Sequence, residues 1–208
     1  MKLATQLFAA SIAAVLMTTG AMAKDPTGRL AQIAIRGTIV LGHRESSVPF
    51  AYLDENQKPV GYSIDLCMKV VEEVEKEIGK DLEVKYVPVN PKTRIALMAN
   101  GTIDLECGST TNNLTRQEQV EYLPIDFITG TKILTRKDLG IQSVDDLDGK
   151  AIGLAQGTTN ERVVKAAIEA KGLDVKILPV RDHADGMLSL ETDRVDAYST
   201  DHILLPSS

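Results

Sequence analysis

The sequence predicts an α/β protein of two lobes, each built on a mostly parallel sheet flanked by helices. Two observations support this fold class. Short β-rich segments alternate with segments of helical periodicity, as is typical of βαβ units. The alternation restarts after an apolar, β-rich segment at residues 125–136, which we interpret as a strand that crosses between the lobes. We therefore place the N-terminal part of lobe 1 at residues 24–127 and an incomplete lobe 2 at residues 128–208.

Periodicity and turn residues predict the elements of lobe 1. A helix over residues 30–35 ends at Gly37, and apolar residues at three- and four-residue spacing predict a longer helix over Tyr62–Ile78. An Asn-Pro pair at 90–91 predicts the start of a third helix. The strands predicted in this lobe are 38–41, the hairpin 52–60, 82–87 and 102–106.

The same reasoning predicts the elements of lobe 2. A long strand over 125–135 leads into a short helix at 144–147, which Ser143 caps. The strands that follow are 151–155, 175–180 and 195–199, and the helices are 161–170 and 182–191.

Composition excludes several classes of function. The chain has 208 residues, of which 43% are hydrophobic and 25% are charged, as in ordinary globular proteins. A net charge of −6 argues against nucleic acid as a partner, since nucleic acid favours a basic face. No stretch after the N-terminal segment has the length and apolar character of a membrane span.

The first 23 residues have the pattern of a secretory signal peptide. Lys2 supplies the positive charge, residues 7–17 form an apolar core, and Ala21-Met22-Ala23 fits the small-residue cleavage pattern. The alternative is an N-terminal membrane anchor, for which the apolar run is short. We therefore expect export with cleavage after Ala23.

A binding site for an anion is predicted where a strand gives way to a helix at residues 104–116. The strand runs into a glycine and three hydroxyl residues, and an Asn pair then opens a helical turn that carries Arg116. Backbone N–H groups, hydroxyls and a guanidinium together suit a carboxylate. An ordinary polar loop is the alternative interpretation. The hydroxyl residues are Ser109, Thr110 and Thr111.

Other polar residues follow strands in both lobes, where open α/β sheets bind their ligands. A single arginine at a strand end is most often a solvated surface residue, but several polar residues at equivalent positions favour a shared site. No paired carboxylates and no nucleophile with a base stand out, so we predict no catalytic residue, metal or cofactor. The polar residues at the strand ends are Arg44, Arg94, Thr158, Thr159, His183 and Asp201.

Two cysteines, Cys67 and Cys107, would lie in an oxidising compartment after export. A disulfide is allowed, but the sequence does not establish it. Cys67 shares a helical face with apolar residues, which favours a small buried side chain. Neither cysteine has the spacing of a zinc ligand or a nearby histidine that would make it a nucleophile.

Four segments resemble the periplasmic glutamate/aspartate-binding proteins of ABC transporters, within the polar amino acid family of solute-binding proteins. They are 42–50 (Gly-His-Arg-Glu-Ser-Ser-Val-Pro-Phe), 106–113 (Glu-Cys-Gly-Ser-Thr-Thr-Asn-Asn), 157–159 (Gly-Thr-Thr) and 182–183 (Asp-His). The resemblance extends from about residue 30 to residue 204. It implies a type II periplasmic-binding-protein-like fold and a periplasmic monomer that delivers its ligand to an inner-membrane ABC permease.

The resemblance also implies a role for each predicted site residue. Asp201 accepts from the ligand ammonium, while Arg44 and Arg94, helped by His183, pair with the side-chain carboxylate. The residues implied for the α-carboxylate are Arg116, Ser109, Thr111 and the region of Thr159. Three guanidiniums and one carboxylate leave a net positive charge, which favours L-glutamate or L-aspartate over their neutral amides.

The sequence departs from the family pattern in two places. Pro91 stands three residues before Arg94, where the family often has a hydroxyl that helps to hold the ligand. Family members also continue for several tens of residues and return to the first lobe, whereas this sequence ends at Ser208. We therefore expect a C-terminal part to be missing and the first lobe to expose apolar surface.

Two alternatives stay open. One is a periplasmic enzyme on the same scaffold, similar to a dehydratase, in which Glu106 or His183 serves as acid or base. The other is a sensor module that reports amino acid binding.

Overall fold

The first lobe is built on a parallel sheet whose strand ends coincide. We describe residues 27–205 in a computed structural model, so the predicted signal peptide lies outside the described residues. The elements of this lobe are α1 (Gly28–Arg36), β1 (Thr38–His43), β2 (Ser46–Ser47), β3 (Ala51–Leu53), β4 (Pro59–Val60), α2 (Tyr62–Ile78), β5 (Glu83–Pro88), α3 (Arg94–Ala99), β6 (Leu105–Cys107) and α4 (Leu114–Gln117). The sheet has the order β5-β1-β6, and His43 lies opposite both Pro88 and Cys107. Three carboxyl ends therefore meet at one edge.

The core of this lobe packs α2 against β1 and β6. Leu41, Ile64 and Val71 are buried there because the apolar face of α2 covers the sheet. Cys67 of α2 and Cys107 of β6 are both buried and form a disulfide, with 6.0 Å between their Cα atoms. The sequence allowed this pairing without establishing it.

A buried carboxylate forms ion pairs that hold α1 against the sheet. Asp104, which immediately precedes β6, accepts from Arg29 and Arg36 of α1 at 2.5 Å each and from the backbone of Val40 at 2.8 Å. Gly37 ends α1 as predicted, and its amide donates to the carbonyl of Ile33. The helix thus has a fixed position beneath β1.

The second lobe repeats this arrangement with one antiparallel strand. Its elements are β7 (Thr131–Thr135), β8 (Ala151–Ala155), α5 (Thr159–Lys171), β9 (Lys176–Val180), α6 (His183–Glu191) and β10 (Ala197–Asp201), with 3-10 turns at Lys137–Leu139, Asp145–Leu147 and His202–Leu204. The sheet order is β7-β10-β8-β9, and β7 alone runs antiparallel to its neighbour. Leu154 lies opposite Ser199 and Ala155 opposite Val180, so the carboxyl ends again coincide.

Several predicted boundaries differ from the structure, and two element starts differ most. The third helix begins at Arg94, whereas residues 91–93 form a turn in which the Asn90 side chain accepts from the amides of Lys92 and Thr93, as an N-cap residue does. The strand predicted over 125–135 begins only at Thr131, because no described strand pairs with residues 125–130. The crossing segment at 125–136 and the boundary between residues 127 and 128 stay predictions.

Apolar surface is exposed along residues 123–128. The side chains of Leu123, Ile125 and Ile128 are exposed. They border a groove of about 930 Å³ that α2 and β6 line on the other side. None of the helices between residues 27 and 205 combines the length and apolar character that crossing a bilayer requires.

Candidate ligand-binding site

A polar cavity lies where the strand ends of the two lobes face each other. Its free volume is about 10 Å³, close to what one water molecule needs, and Arg94, Ser109, Thr111, Thr159 and Asp201 of its wall also line the larger groove. Eight of the predicted residues lie in its wall, together with Asn160, which the sequence analysis did not identify. The wall consists of Arg44, Arg94, Ser109, Thr111, Thr158, Thr159, Asn160, His183 and Asp201.

Two predicted residues are absent from the cavity wall. Thr110 lines the apolar groove instead, and its hydroxyl is buried without a hydrogen-bond partner among residues 27–205. Arg116 lies beside the cavity, where its guanidinium is held by main-chain carbonyls. The ligand-binding roles of all ten residues stay predictions.

Arg44 has the least satisfied charge in the site. It directly follows β1, and only 1% of its surface is exposed. Neither terminal nitrogen of its guanidinium has a hydrogen-bond partner in the described part of the chain. Burial lowers the pKa of Arg44, while Glu106 and Asp182 act in the opposite direction. A buried guanidinium with unused donors favours a ligand that brings an anionic acceptor.

Arg94 lies in the same wall and is also buried. The Nε of Arg94 has no hydrogen-bond partner within residues 27–205. Burial lowers the pKa of Arg94 to about 9, with the charge of Glu106 opposing this fall and the charges of Arg44 and Arg116 contributing to it. Arg94 is therefore still charged at neutral pH and adds a second donor for an anion.

Carboxylates that the sequence-based charge count omitted surround these arginines. Glu106 of β6 raises the pKa of both Arg44 and Arg94, and Asp182 raises that of Arg44. Asp201 is the third carboxylate near the site, but Asp182 also pairs with the guanidinium of Arg181, so the charge is less positive than the sequence-based count of three guanidiniums and one carboxylate without changing sign. The unpaired N–H groups of the buried arginines therefore favour an anionic ligand in addition to the charge.

Arg116 joins the two lobes beside the cavity. Asn113 caps α4 and accepts from the amide of Arg116 at 3.0 Å, which fixes the start of the side chain. Nη1 of Arg116 donates to the carbonyl of Thr111 at 2.7 Å, and Nη2 donates across the cleft to the carbonyl of Gly157 at 2.9 Å.

The N-terminus of α5 forms the second-lobe side of the cavity. Thr158 caps the helix, because its hydroxyl accepts from the amide of Glu161 at 3.0 Å. The hydroxyls of Thr159 and Thr111 lie 3.3 Å apart across the cleft. The first amides of this helix have no partner within the helix, so together with the two hydroxyls they suit a carboxylate.

Asp201 lies at the end of β10 and is positioned by Asn160. Nδ2 of Asn160 donates to Asp201 at 3.2 Å, while its amide oxygen accepts from Thr131 at 2.5 Å. Burial raises the pKa of Asp201, and the contact with Asn160 and the charges of Arg94 and Arg116 oppose this rise. A desolvated carboxylate of this kind is stabilised by a cation such as an amino acid ammonium. The one sequence signal for Asn160 is its place directly after Gly-Thr-Thr.

His183 is buried and neutral. Its Nδ1 lies 2.7 Å from the hydroxyl of Tyr198 and 3.1 Å from that of Thr200. Burial lowers the pKa of His183 to about 3, and the charges of Arg44 and Arg94 act in the same direction. The imidazole can therefore offer either a donor or an acceptor to a ligand, depending on its tautomer.

Comparison with known proteins identifies the family. Residues 39–195 match the bacterial extracellular solute-binding proteins, family 3. The chain is 44% identical over 207 residues to the L-glutamate/L-aspartate-binding protein of Pseudomonas aeruginosa, which covers 99% of this chain and 68% of that protein. It is 42% identical over 205 residues to the glutamate/aspartate import solute-binding protein of Escherichia coli, which covers 98% of this chain and 68% of that protein.

Solved structures support the same assignment. An ancestral arginine-binding protein bound to arginine matches with a TM-score of 0.72 and 30% identity, over 81% of this chain and 72% of that one. An ancestral amino acid-binding protein described as a precursor of cyclohexadienyl dehydratase matches with a TM-score of 0.74 and 25% identity, over 85% of this chain and 75% of that one. The chain therefore belongs to family 3 of the bacterial extracellular solute-binding proteins and has their two-lobed type II fold, as its sequence predicted.

Proposed function

We propose that the protein captures L-glutamate or L-aspartate in the periplasm and delivers it to the inner-membrane permease of an ABC transporter. The observation that carries this proposal is the buried guanidinium of Arg44, whose two terminal nitrogens are unpaired in a cavity between the lobes. A neutral side chain would leave these donors without an anion. Relatives at 42% and 44% identity are named for binding or importing glutamate and aspartate.

In this proposal the two ends of the ligand meet different groups. Arg44, Arg94 and His183 take the side-chain carboxylate, and Asp201 takes the ammonium. The α-carboxylate is held by Ser109, Thr111 and the start of α5 at Thr158 and Thr159, with Arg116 beside them. Two of the five N–H groups of Arg116 already donate to carbonyls, so its remaining donors are the ones available to the ligand.

Capture requires the lobes to open and close. The lobes contact each other through Thr111 with Thr159 and through Arg116 with Gly157. A ligand that bonds to both lobes favours the closed arrangement, and the permease then receives the loaded, closed protein. We further propose that the protein acts as a monomer and is cleaved after Ala23 on export.

Calorimetric titration of the exported protein tests the proposal. Glutamate, aspartate, glutamine, asparagine and arginine are each titrated under the same conditions. We expect glutamate or aspartate to bind at least ~100-fold more tightly than its own amide, since an unpaired buried charge costs roughly 3–5 kcal/mol. Glutamine binding as tight as glutamate binding would overturn the assignment of the ligand.

An enzymatic function on the same scaffold is the second candidate. One observation favours it, namely a buried Oε1 of Glu106 without a hydrogen-bond partner among residues 27–205. We propose binding without catalysis, because no paired carboxylates and no nucleophile with a base accompany Glu106 among the residues that line the cavity. Quantitative recovery of unchanged glutamate after prolonged incubation, followed by mass spectrometry, is the expected result. Conversion of the ligand would favour the enzyme.

A further inference from the structure

We infer that Tyr198 is a positioning residue, which holds His183 in the tautomer with its hydrogen on Nε2 and so makes this nitrogen a donor to the ligand's side-chain carboxylate. The inference rests on the proposed function, because an anionic ligand needs a donor at this point. Tyr198 would thus influence which ligand binds without contacting it, since Tyr198 is fully buried and lies outside the set of residues that line the cavity.

The contacts of Nδ1 support this tautomer. Tyr198 and Thr200 are two residues apart on β10, so their side chains lie on the same face of the strand. Their hydroxyls lie 2.7 Å and 3.1 Å from Nδ1 of His183. A phenol hydrogen donated to Nδ1 leaves the imidazole hydrogen on Nε2, because a neutral imidazole carries only one.

The protonated state of the phenol agrees with donation from Tyr198 to His183. Burial raises the pKa of Tyr198 well above its usual range, so the phenol keeps its hydrogen. The phenol oxygen also lies closer to Nδ1 than the hydroxyl of Thr200 does, at 2.7 Å against 3.1 Å. Tyr198 can thus donate to His183, and His183 to the ligand.

A glycine on α6 lets the phenol ring reach the histidine. Gly186 follows His183 by three residues, so the two share one face of the helix. A Cβ at Gly186 would overlap the ring of Tyr198 at Cδ2, Cε2 and Cζ. The ring therefore packs directly on the helix backbone, which aligns its hydroxyl with Nδ1. Packing and hydrogen bonding together fix the imidazole.

Nitrogen-15 NMR of the full-length exported protein tests the inference without a ligand. The His183 resonances are identified by their loss in His183→Gln. In the wild type we expect Nε2 to resonate as a protonated nitrogen and Nδ1 as an unprotonated one. In Tyr198→Phe, which keeps the ring and removes the hydroxyl, we expect population of the tautomer with the hydrogen on Nδ1. Hydrogen on Nδ1 in the wild type, or an unchanged tautomer in Tyr198→Phe, would overturn the inference.

Affinity measurements supply the functional half of the test. Tyr198→Phe should weaken glutamate binding about 10-fold, equivalent to about 1.4 kcal/mol, because the hydrogen bond from Nε2 of His183 to the ligand carboxylate then forms in only part of the molecules. Gly186→Ala should act in the same direction by displacing the ring. Tyr86→Phe is the control, since the Tyr86 hydroxyl contacts Met68 in the first lobe. Equal affinities of the wild type and Tyr198→Phe would overturn the role of Tyr198. If the wild type binds no glutamate, the proposed function is wrong, and the NMR result alone decides whether Tyr198 sets the tautomer of His183.

Discussion

Arg116 of the first lobe donates across the cleft to the main-chain carbonyl of Gly157 in the second lobe, at 2.9 Å. The same guanidinium donates to the carbonyl of Thr111 in its own lobe at 2.7 Å. One side chain therefore couples the closed arrangement of the lobes to the loop that carries the predicted hydroxyl donors. We propose that closure and ligand binding are linked through this residue, since a ligand that contacts both lobes stabilises the closed arrangement.

Replacement of Arg116 should remove binding of every amino acid. We expect no measurable calorimetric binding by Arg116→Ala of acidic or neutral ligands. Arg116→Lys keeps the charge but not the rigid, planar set of donors that reaches two carbonyls, so its affinity should fall by at least ~10-fold. Wild-type affinity in Arg116→Lys would contradict the coupling that we infer from the two contacts.

Gly157 should be required for closure. Its φ is +78°, and a Cβ there would lie 2.8 Å from the carbonyl oxygen of Pro91 in the first lobe. Gly157→Ala should therefore weaken glutamate binding by at least ~10-fold and shift small-angle scattering toward a more open form, because the side chain meets rigid backbone across the cleft.

Gly149→Ala is the matched control for Gly157→Ala. Gly149 also has a left-handed backbone, with φ of +72°, but no atom lies within 4 Å of a Cβ built there. Both variants carry the cost of a left-handed alanine, roughly 1–2 kcal/mol. Only the Gly157 variant should lose affinity. Similar affinity losses in the two variants would show that backbone strain, rather than contact between the lobes, explains the result.

The sequence could predict the location of the cavity because the strand ends carry polar residues. The parallel register aligns the ends of β1, β5 and β6, and the residues that follow them meet without any further information. The same holds for β8 and β9 of the second lobe. Local pattern and a topological rule were therefore sufficient for eight of the nine residues in the cavity wall.

The missed features depend on contacts between residues distant in sequence. Asn160 has no local signal beyond its motif, because its role comes from Asp201, which is 41 residues away. The charge count omitted Glu106 because this residue has the appearance of an ordinary strand residue until α3 brings Arg94 beside it. The strand predicted from residue 125 has the right composition but lacks a partner strand until Thr131. Composition cannot supply such a partner.

Loss of Arg44 should discriminate between ligand classes. Arg44→Ala should weaken glutamate and aspartate by roughly 100-fold or more, because the side-chain carboxylate then loses a buried partner. Glutamine and asparagine should lose much less. Arg181→Ala is the control, since Arg181 is exposed and pairs with Asp182 outside the cavity wall. Equal losses for both ligand classes in Arg44→Ala would show that this arginine does not contact the ligand side chain.

The disulfide should stabilise the first lobe without acting on the ligand. Cys67 and Cys107 are 40 residues apart, and closing a loop of that length contributes about 4 kcal/mol in the chain-entropy description. The double variant Cys67→Ala/Cys107→Ala should lose a comparable free energy of unfolding in urea. Its glutamate affinity should stay within about threefold of the wild type, because neither cysteine lines the cavity. A large loss of affinity in a folded variant would contradict this separation.

His183 should make the protein less stable in mild acid. Its pKa is about 3 in the folded chain, against 6.5 for an ordinary histidine, so the unfolded chain binds more protons between these values. Stability should therefore fall as the pH drops below 6.5, by about 1.4 kcal/mol per pH unit from this group. His183→Gln removes the group, so between pH 7 and pH 5 the wild type should lose about 2 kcal/mol more than the variant. Urea unfolding of both proteins at several pH values measures the difference. Parallel curves would mean that the folded protein protonates this imidazole as readily as the unfolded chain does, which would contradict the neutral state that burial imposes on His183 in mild acid.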